Sequence, residues 1–231
     1  MKTFRTLLIG LLCAGTLVRI QAAGPFTPPG KQNPTHPSVT NAAVTPLGGG
    51  EFRIGLIQFR KDPPSIRFPA TLNMTRGILE YVLVHADGKT HESLLKTDAQ
   101  PLHLHLAALL SGLAPGTNNP GLKTPTLLRL TVEATLENGT THPVPPELWI
   151  QHKPAGKSLS PGPWQYLGSR TSEGVFLAQR DGSIISLITD PDALIGNPRP
   201  DRDGDDAWHV DSSSVPPLHT PVRVRLERWK P

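Results

Sequence analysis

Proline and glycine limit the length of every regular element that this chain can form. The 231 residues include 26 prolines and 21 glycines. Proline removes a backbone donor and fixes φ, while glycine weakens helices and strands through its conformational entropy. This composition argues against a helical bundle, which needs long uninterrupted helices. The sequence therefore predicts a mainly β (α+β) protein, built as an antiparallel sheet or a sandwich-like body.

The first 22 residues have the layout of a secretory signal peptide. Lys2 and Arg5 precede an apolar run of roughly a dozen residues, and Ala22 offers a small residue at the cleavage position. The run is shorter than the ~20 apolar residues of a membrane-spanning helix. We therefore expect export to the periplasm or the cell exterior, with no membrane span after cleavage. An uncleaved membrane anchor is the alternative.

Removal of this segment changes the charge and the thiol chemistry of the protein. The whole chain has 23 Lys and Arg against 19 Asp and Glu, and the leader carries three of the basic residues and no acid. The mature chain is therefore nearly neutral, without a general field for nucleic acid or an anionic membrane. Cys13 is the single cysteine. Its loss with the leader leaves no disulfide and no thiolate metal site.

The remaining chain divides into a linker and a β-rich body. Residues 23–50 contain six prolines, end on three consecutive glycines and show no apolar period, which predicts a linker or loosely held arm. Residues 51–231 predict one β-rich domain, with a second section beginning at about residue 161 as a finer division. We detect no internal repeat of 20–50 residues.

Alternating apolar and polar residues identify the main strands. Residues 126–137 alternate most clearly, and Asn138-Gly139 then indicates a hairpin turn. Residues 78–85 predict a strand buried on both faces, with residues 90–95 returning as its hairpin partner. Residues 65–71 predict an edge strand because Pro69 lacks a donor.

The last strand alternates valine and leucine with arginine and glutamate over residues 222–227. Arginines on an outer strand face protect a sheet edge against aggregation. An anion site is the alternative interpretation of the same pattern.

Residues 101–113 predict one helix packed on the sheet. Pro101 suits the first helical turn, where a missing donor costs little. Spacings of four, three and four residues place the leucines on one apolar stripe. The stripe consists of Leu102, Leu106, Leu109 and Leu113.

Several stretches resemble the YdjY-type domain of exported bacterial proteins. The resemblance covers most of residues 51–229, and its most specific part is the Gly-Lys-x-His-Glu-Ser motif at residues 88–93. The biochemical function of this family is undefined, so the resemblance implies export and one continuous fold, and it supplies no catalytic residues. The matching stretches are Phe68-Pro69-Ala70, Gly77 to Val84, Gly88 to Leu95, Pro101 with Leu104 to Leu109, and Trp164 to Ser169.

The densest group of polar side chains gives candidate binding residues Lys89, His91, Glu92, Ser93 and His105. If the predicted hairpin packs beneath the helix, His91 or Glu92 approaches His105. These three side chains then suit zinc or another transition ion with an open coordination position. The simpler interpretation is an exposed Lys89–Glu92 ion pair and histidines that bond backbone groups.

Asp201, Asp203 and Asp205 form a second candidate metal site on a glycine-bearing loop. Alternating carboxylates suit calcium, which prefers oxygen ligands. The EF-hand pattern fails, because its sixth and twelfth positions hold Asp206 and Ser212 instead of glycine and glutamate. A different calcium site and a solvated acidic loop are the two remaining interpretations.

Several common enzyme signatures are missing from the sequence. Gln151 stands where a phosphate-binding loop has its first glycine, and Leu95 replaces the second histidine of a zinc-protease helix. No G-x-S-x-G elbow occurs. These observations favour a non-enzymatic binding or structural module of the cell envelope, whose partner is an unidentified ligand or envelope protein. The alternatives are a metal-dependent hydrolase using His91, Glu92 and His105, and a calcium-stabilised matrix or adhesion domain.

We expect the native protein to begin at Ala23, because signal peptidase cuts after the small residue Ala22. Intact-mass measurement of protein purified from its native source gives the start of the chain directly. A protein that keeps Met1 and fractionates with the cytosol would refute export.

Overall fold

The computed structural model describes residues 43–116, 123–135, 141–204 and 206–230. The predicted signal peptide and residues 23–42 of the predicted linker lie outside this part of the chain. Eight strands come from the first part of the described chain: β1 (Thr45–Gly48), β2 (Glu51–Ile54), β3 (Ile57–Lys61), β4 (Pro64–Leu72), β5 (Tyr81–His85), β6 (Ser93–Thr97), β7 (Leu127–Thr135) and β8 (Thr141–Val144).

The remaining strands are short, with the exception of the last. They are β9 (Ile150–His152), β10 (Lys157–Ser158), β11 (Trp164–Tyr166), β12 (Thr171–Ser172), β13 (Val175–Phe176), β14 (Ser183–Ser186), β15 (Ile195–Gly196), β16 (Trp208–Val210) and β17 (Pro221–Arg228). The two α-helices are α1 (Pro101–Leu110) and α2 (Leu177–Asp181). Neither helix has the length and apolar character needed to span a membrane, and no other helix of the described residues has them.

Eight strands close into a barrel. Their order around the ring is β4, β17, β7, β11, β15, β14, β5 and β6, and β6 pairs again with β4. Strands β1, β2 and β3 extend the sheet from β4, and β8 extends it from β7. Most pairs are antiparallel, but β5–β6 and β14–β15 are parallel. The mainly β prediction is confirmed, and a closed ring replaces the predicted sandwich-like body.

The barrel interior is filled by one face of each long strand. Phe68 on β4 lies opposite Val224 on β17, which in turn lies opposite Val132 on β7. All three side chains are fully buried. With the exception of Pro69, the outward neighbours of these three residues are polar, as the period of two requires. Strand β5 is buried along its whole length because it is covered on both faces.

The predicted helix is confirmed, but its predicted apolar stripe is wrong. Helix α1 ends at Leu110, and Gly112 then takes a left-handed φ of 75°. Leu106 and Leu109 are exposed, whereas Leu104, Ala107 and Ala108 are buried. Nearly every residue of α1 is apolar, so leucine spacing could not identify the buried face. The face that carries Leu104 and the two small alanines is buried instead, and the helix contacts strand β3.

The β5–β6 hairpin prediction is also wrong, because these neighbouring strands are parallel. Strand β5 ends at His85, and the chain turns back through Gly88 to a 3-10 turn at Thr90–Glu92. Strand β6 then starts beside Tyr81, the first residue of β5. The seven-residue connection therefore returns the chain to the beginning of β5 before the second strand forms. By contrast, β7 and β8 are antiparallel as predicted, and their turn lies outside the described residues.

Pro69 does not place β4 at a sheet edge. On one side β4 pairs with β17 along its length. On the other side β3 pairs only as far as Arg67, and β6 pairs only from Thr71. Pro69 lies in the gap between these two partners, where no strand needs its missing donor. Its carbonyl accepts a hydrogen bond from the Thr97 hydroxyl at 2.6 Å.

Two other expectations need correction. Thr45–Gly48 of the predicted linker form β1, because Gly48 and Gly49 take positive φ and reverse the chain into β2. Strand β17 is central, since it pairs with β4 and with β7 over nearly its whole length.

We expect Phe68→Ala to lower the free energy of unfolding by about 3–5 kcal/mol, because it leaves a cavity at the centre of the barrel. Leu56→Ala is the control, since Leu56 is 50% exposed, and it should change stability by less than about 0.5 kcal/mol. Urea denaturation followed by circular dichroism measures both. Equal losses would contradict the described register of β4.

Candidate functional site

A cleft of about 500 Å³ opens beside strands β11 and β15 of the barrel. Its walls come from the loop after β11, the segment after β14 and the loop after β15. This volume suits a small organic ligand. We call it the cleft, and its walls contain Gly116, Gln165, Leu167, Ser169, Arg170, Ile188, Thr189, Asp190, Pro191, Gly196, Asn197 and Arg202.

Two polar side chains of the cleft are poorly satisfied within the protein. The amide oxygen of Gln165 is buried and has no hydrogen-bond partner. Arg202 is half-buried, and its Nη1 donates one long bond of 3.4 Å to the carbonyl of Asn197. Among the residues that the structure describes, no carboxylate forms an ion pair with Arg202. A buried acceptor without a donor costs free energy, so Gln165 favours a ligand that brings a donor.

Asp190 supplies the negative charge of the cleft and is fixed by a chain of hydrogen bonds. Lys89 Nζ donates to Tyr81 Oη at 2.9 Å, and Tyr81 Oη donates to Asp190 Oδ2 at 2.9 Å. Burial raises the pKa of Tyr81 to about 12, with Lys89 opposing and Asp190 adding to that shift. Tyr81 therefore stays a neutral donor, and it positions the carboxylate of Asp190.

The loop after β11 has an unusual backbone conformation. Gly168 has a φ of 83°, and a Cβ there would lie 2.5 Å from Cβ of Pro115. Ser169 has a φ of 62°, which is uncommon for a residue with a side chain. Its hydroxyl donates to the Asp192 carbonyl and accepts from the Ala178 amide. These bonds hold a strained conformation, and such residues cluster at binding sites.

A buried ion pair fixes the loop that carries Asn197. Glu147 Oε1 accepts hydrogen bonds from Trp164 Nε1 at 2.8 Å and from Arg199 Nη2 at 3.2 Å. The Arg199 guanidinium also lies over the Trp164 ring and donates to Asn197 Oδ1. Burial lowers the pKa of Arg199, and the charge of Glu147 opposes that shift. Breaking a buried pair is costly, so this cluster holds the cleft wall in place.

A second pocket of about 670 Å³ adjoins the cleft and contains His105. The two cavities share Gly116, Leu167 and Ser169. His105 Nδ1 lies 2.9 Å from Tyr166 Oη, and its ring contacts Phe176 at 5.1 Å between centroids. Burial lowers the pKa of His105 and raises the pKa of Tyr166. We call this cavity the histidine pocket.

The predicted binding residues do not form one site, although Lys89 Nζ lies 3.9 Å from Glu92 Oε1. His105 lines the histidine pocket, and Lys89 reaches the cleft only through Tyr81. Ser93 is buried and donates to the Leu95 carbonyl within β6. His91 is largely exposed, with its Nε2 3.6 Å from Glu92 Oε2.

The predicted zinc site does not assemble. No group of three histidine, cysteine, aspartate or glutamate side chains in the described residues is placed to hold a metal ion. His91 and Glu92 lie on a 3-10 turn, and His105 instead contacts Tyr166. The predicted convergence of these three residues for zinc is therefore absent.

The aspartates of the predicted calcium site have other partners. Asp201 Oδ2 lies 3.1 Å from His152 Nε2. Asp203 accepts a hydrogen bond from the Thr189 hydroxyl. Asp205 lies outside the described residues.

Sequence reasoning missed the residues that form the cleft. Glu147 offered a signal, because it is a lone charge in an apolar segment followed by Leu148-Trp149-Ile150. Gln165 and Arg202 offered none, since they are distant in sequence and line one cavity only in the folded chain. No family model, curated protein or solved structure matches this chain. Any function of this protein must therefore be inferred from the geometry of the two cavities.

We expect His105 to titrate below the ordinary histidine pKa of 6.5, because burial favours the neutral ring. As pH falls below 6.5, the unfolded chain takes up a proton at this residue before the folded protein does. Stability is therefore full above 6.5 and declines through the range between the two pKa values. NMR titration measures the pKa, and His105→Asn should reduce the acid loss of stability. A His105 pKa at or above 6.5 would contradict this.

Proposed function

We propose that this protein is an exported, non-enzymatic binding module whose cleft takes a small zwitterionic ligand, such as an amino acid or a short peptide. The observation that carries the proposal is the pairing, in one cavity, of the unpartnered Gln165 amide oxygen with the half-buried Arg202 guanidinium. The first group accepts a donor, and the second donates to an anion.

The anionic end of the ligand is assigned to Arg202. A guanidinium presents a fork of donors that matches a carboxylate bidentately. Arg170 also lines the cleft, but its Nε and Nη2 both lie 2.7 Å from Asp192 Oδ1. That pairing leaves Arg202 as the better donor to a ligand carboxylate.

The cationic end of the ligand is assigned to Asp190 and Gln165. Asp190 Oδ1 accepts the Asp192 amide, and Oδ2 accepts the Tyr81 hydroxyl. Each carboxylate oxygen retains capacity for one further donor. An ammonium group has three donors, and in this proposal it bonds both Asp190 and Gln165.

Export and membership of the YdjY-type family are part of this proposal. The signal-peptide layout of residues 1–22 supports export. The Gly-Lys-x-His-Glu-Ser motif supports the family, and Lys89 of that motif bonds Tyr81, which in turn bonds Asp190. In this proposal the motif contributes to the cleft through a buried tyrosine.

The test is isothermal titration of the mature protein with the standard amino acids and short peptides. Arg202→Ala should weaken binding roughly 10- to 100-fold, as expected for the loss of charge-assisted hydrogen bonds. Arg180→Ala is the matched control, because Arg180 pairs with the adjacent Asp181 outside the cleft wall. This control should bind as the parent does.

Gln165→Leu separates binding from stability. Because the Gln165 oxygen has no partner in the free protein, its removal should leave the unfolding midpoint unchanged or raised. The same variant should weaken ligand binding. If no amino acid or peptide binds, or if Arg202→Ala and Gln165→Leu both bind normally, the proposal is wrong.

A further inference from the structure

The outer face of the sheet formed by β2, β3, β4, β17 and β7 carries an excess of positive charge. Three glutamates lie on it, namely Glu51, Glu133 and Glu227. The nearly neutral composition of the chain after residue 22 makes this local excess an asymmetry of the molecule. We call it the arginine face, and its arginines are Arg53, Arg60, Arg67, Arg129, Arg223 and Arg225.

The strand register concentrates these charges. Arg67 on β4 lies directly opposite Arg225 on β17, and neighbouring strands are only about 4.8 Å apart. Like charges in this arrangement repel each other. Glu51 bonds Arg67 at 2.6 Å, and Glu133 bonds Arg225 at 2.5 Å. Glu51 and Glu133 therefore offset the repulsion between Arg67 and Arg225.

Three arginines of this face form no ion pair with a described carboxylate, and one of them, Arg129, instead donates to the Lys230 carbonyl. Arg53 and Arg223 are both exposed, and no described carboxylate forms an ion pair with either. Arg223 contributes to a groove of about 430 Å³ together with Arg67. The face thus offers free guanidinium groups beside a concave surface.

Protection of a sheet edge does not explain these arginines, because β17 is the central strand of the face. Edge strands use charges to block pairing with another chain, and β17 already has a partner on each side. The alternative interpretation of the pattern, an anion site, is the one that the strand order favours.

We propose that the arginine face binds a linear acidic polysaccharide whose sugar units carry carboxylates. Arg53, Arg67 and Arg225 lie in one row across the strands through Gln58. A polymer that follows this row meets several guanidinium groups in succession, and each is shaped for a carboxylate. Repetition along the polymer gives affinity from individually weak surface contacts.

An aromatic side chain beside the row favours a sugar polymer over other polyanions. Trp229 is half-buried and lines a groove of about 600 Å³ together with Arg129 and Arg225. The Arg129 guanidinium lies over the Trp229 ring. An indole with an exposed portion offers an apolar surface to the face of a sugar ring, while the arginines bind its carboxylate.

The experiment measures binding of the mature protein to immobilised polygalacturonate, with neutral dextran and double-stranded DNA in parallel. Arg53→Ala/Arg223→Ala removes the two exposed charges that have no ion-pair partner and should weaken polygalacturonate binding roughly tenfold at low salt. Arg76→Ala/Arg180→Ala is the charge-matched control, since these exposed residues lie off the face. The control should bind as the parent does.

Trp229→Ala separates recognition of the sugar ring from recognition of its carboxylate charge. Its loss should weaken polygalacturonate binding and leave any DNA binding unchanged. The proposal fails if the parent does not retain polygalacturonate above dextran, if it prefers DNA, or if both double variants weaken binding equally. Because none of these substitutions touches the cleft, amino-acid titration of the same variants reports separately on the proposed function.

Discussion

Closure of the sheet at the β4–β6 pairing is the interaction on which the rest of this structure depends. The pairing is short, with Thr71 and Leu72 opposite Lys96 and Leu95, yet it joins the two ends of an eight-stranded path. Closure removes two sheet edges and encloses a core of large apolar side chains. Without it, β5 and β6 would expose residues that are buried on both faces. The loops that form the cleft are positioned by strands of this ring.

Two polar clusters, each built on a buried side chain, then set the positions of cleft residues. Tyr81 joins Lys89 to Asp190, and Glu147 joins Trp164 to Arg199. In a region of low dielectric such hydrogen bonds are strong, and an unpaired member is costly. These clusters therefore act as rigid supports. The amide oxygen of Gln165 is left unsatisfied beside them, and that contrast is the reason for proposing the cleft as a binding site.

The two proposed surfaces differ in the way they recognise a ligand. The cleft is small and contains both charge signs, which suits a compact zwitterion. The arginine face is open and repeats one charge across several strands, which suits a long polymer of the opposite sign. In both places arginine supplies the donors, because its planar fork matches a carboxylate. A protein with both surfaces would be held on a polymer while its cleft remained accessible.

The sequence alone determined the secondary-structure class, the strand at residues 127–135 with its hairpin partner, and the start of helix α1 at Pro101. Each follows from a local pattern, because alternation, turn residues and a proline at a helix start act over a few neighbouring residues. Only the tertiary structure decided the parallel pairing of β5 with β6, the central place of β17, and the meeting of Gln165, Asp190 and Arg202. Periodicity reports that one face of an element is buried, but it carries no information about which element covers that face. The ring closure and the cleft depend on those partners, so they had to be read from the folded chain.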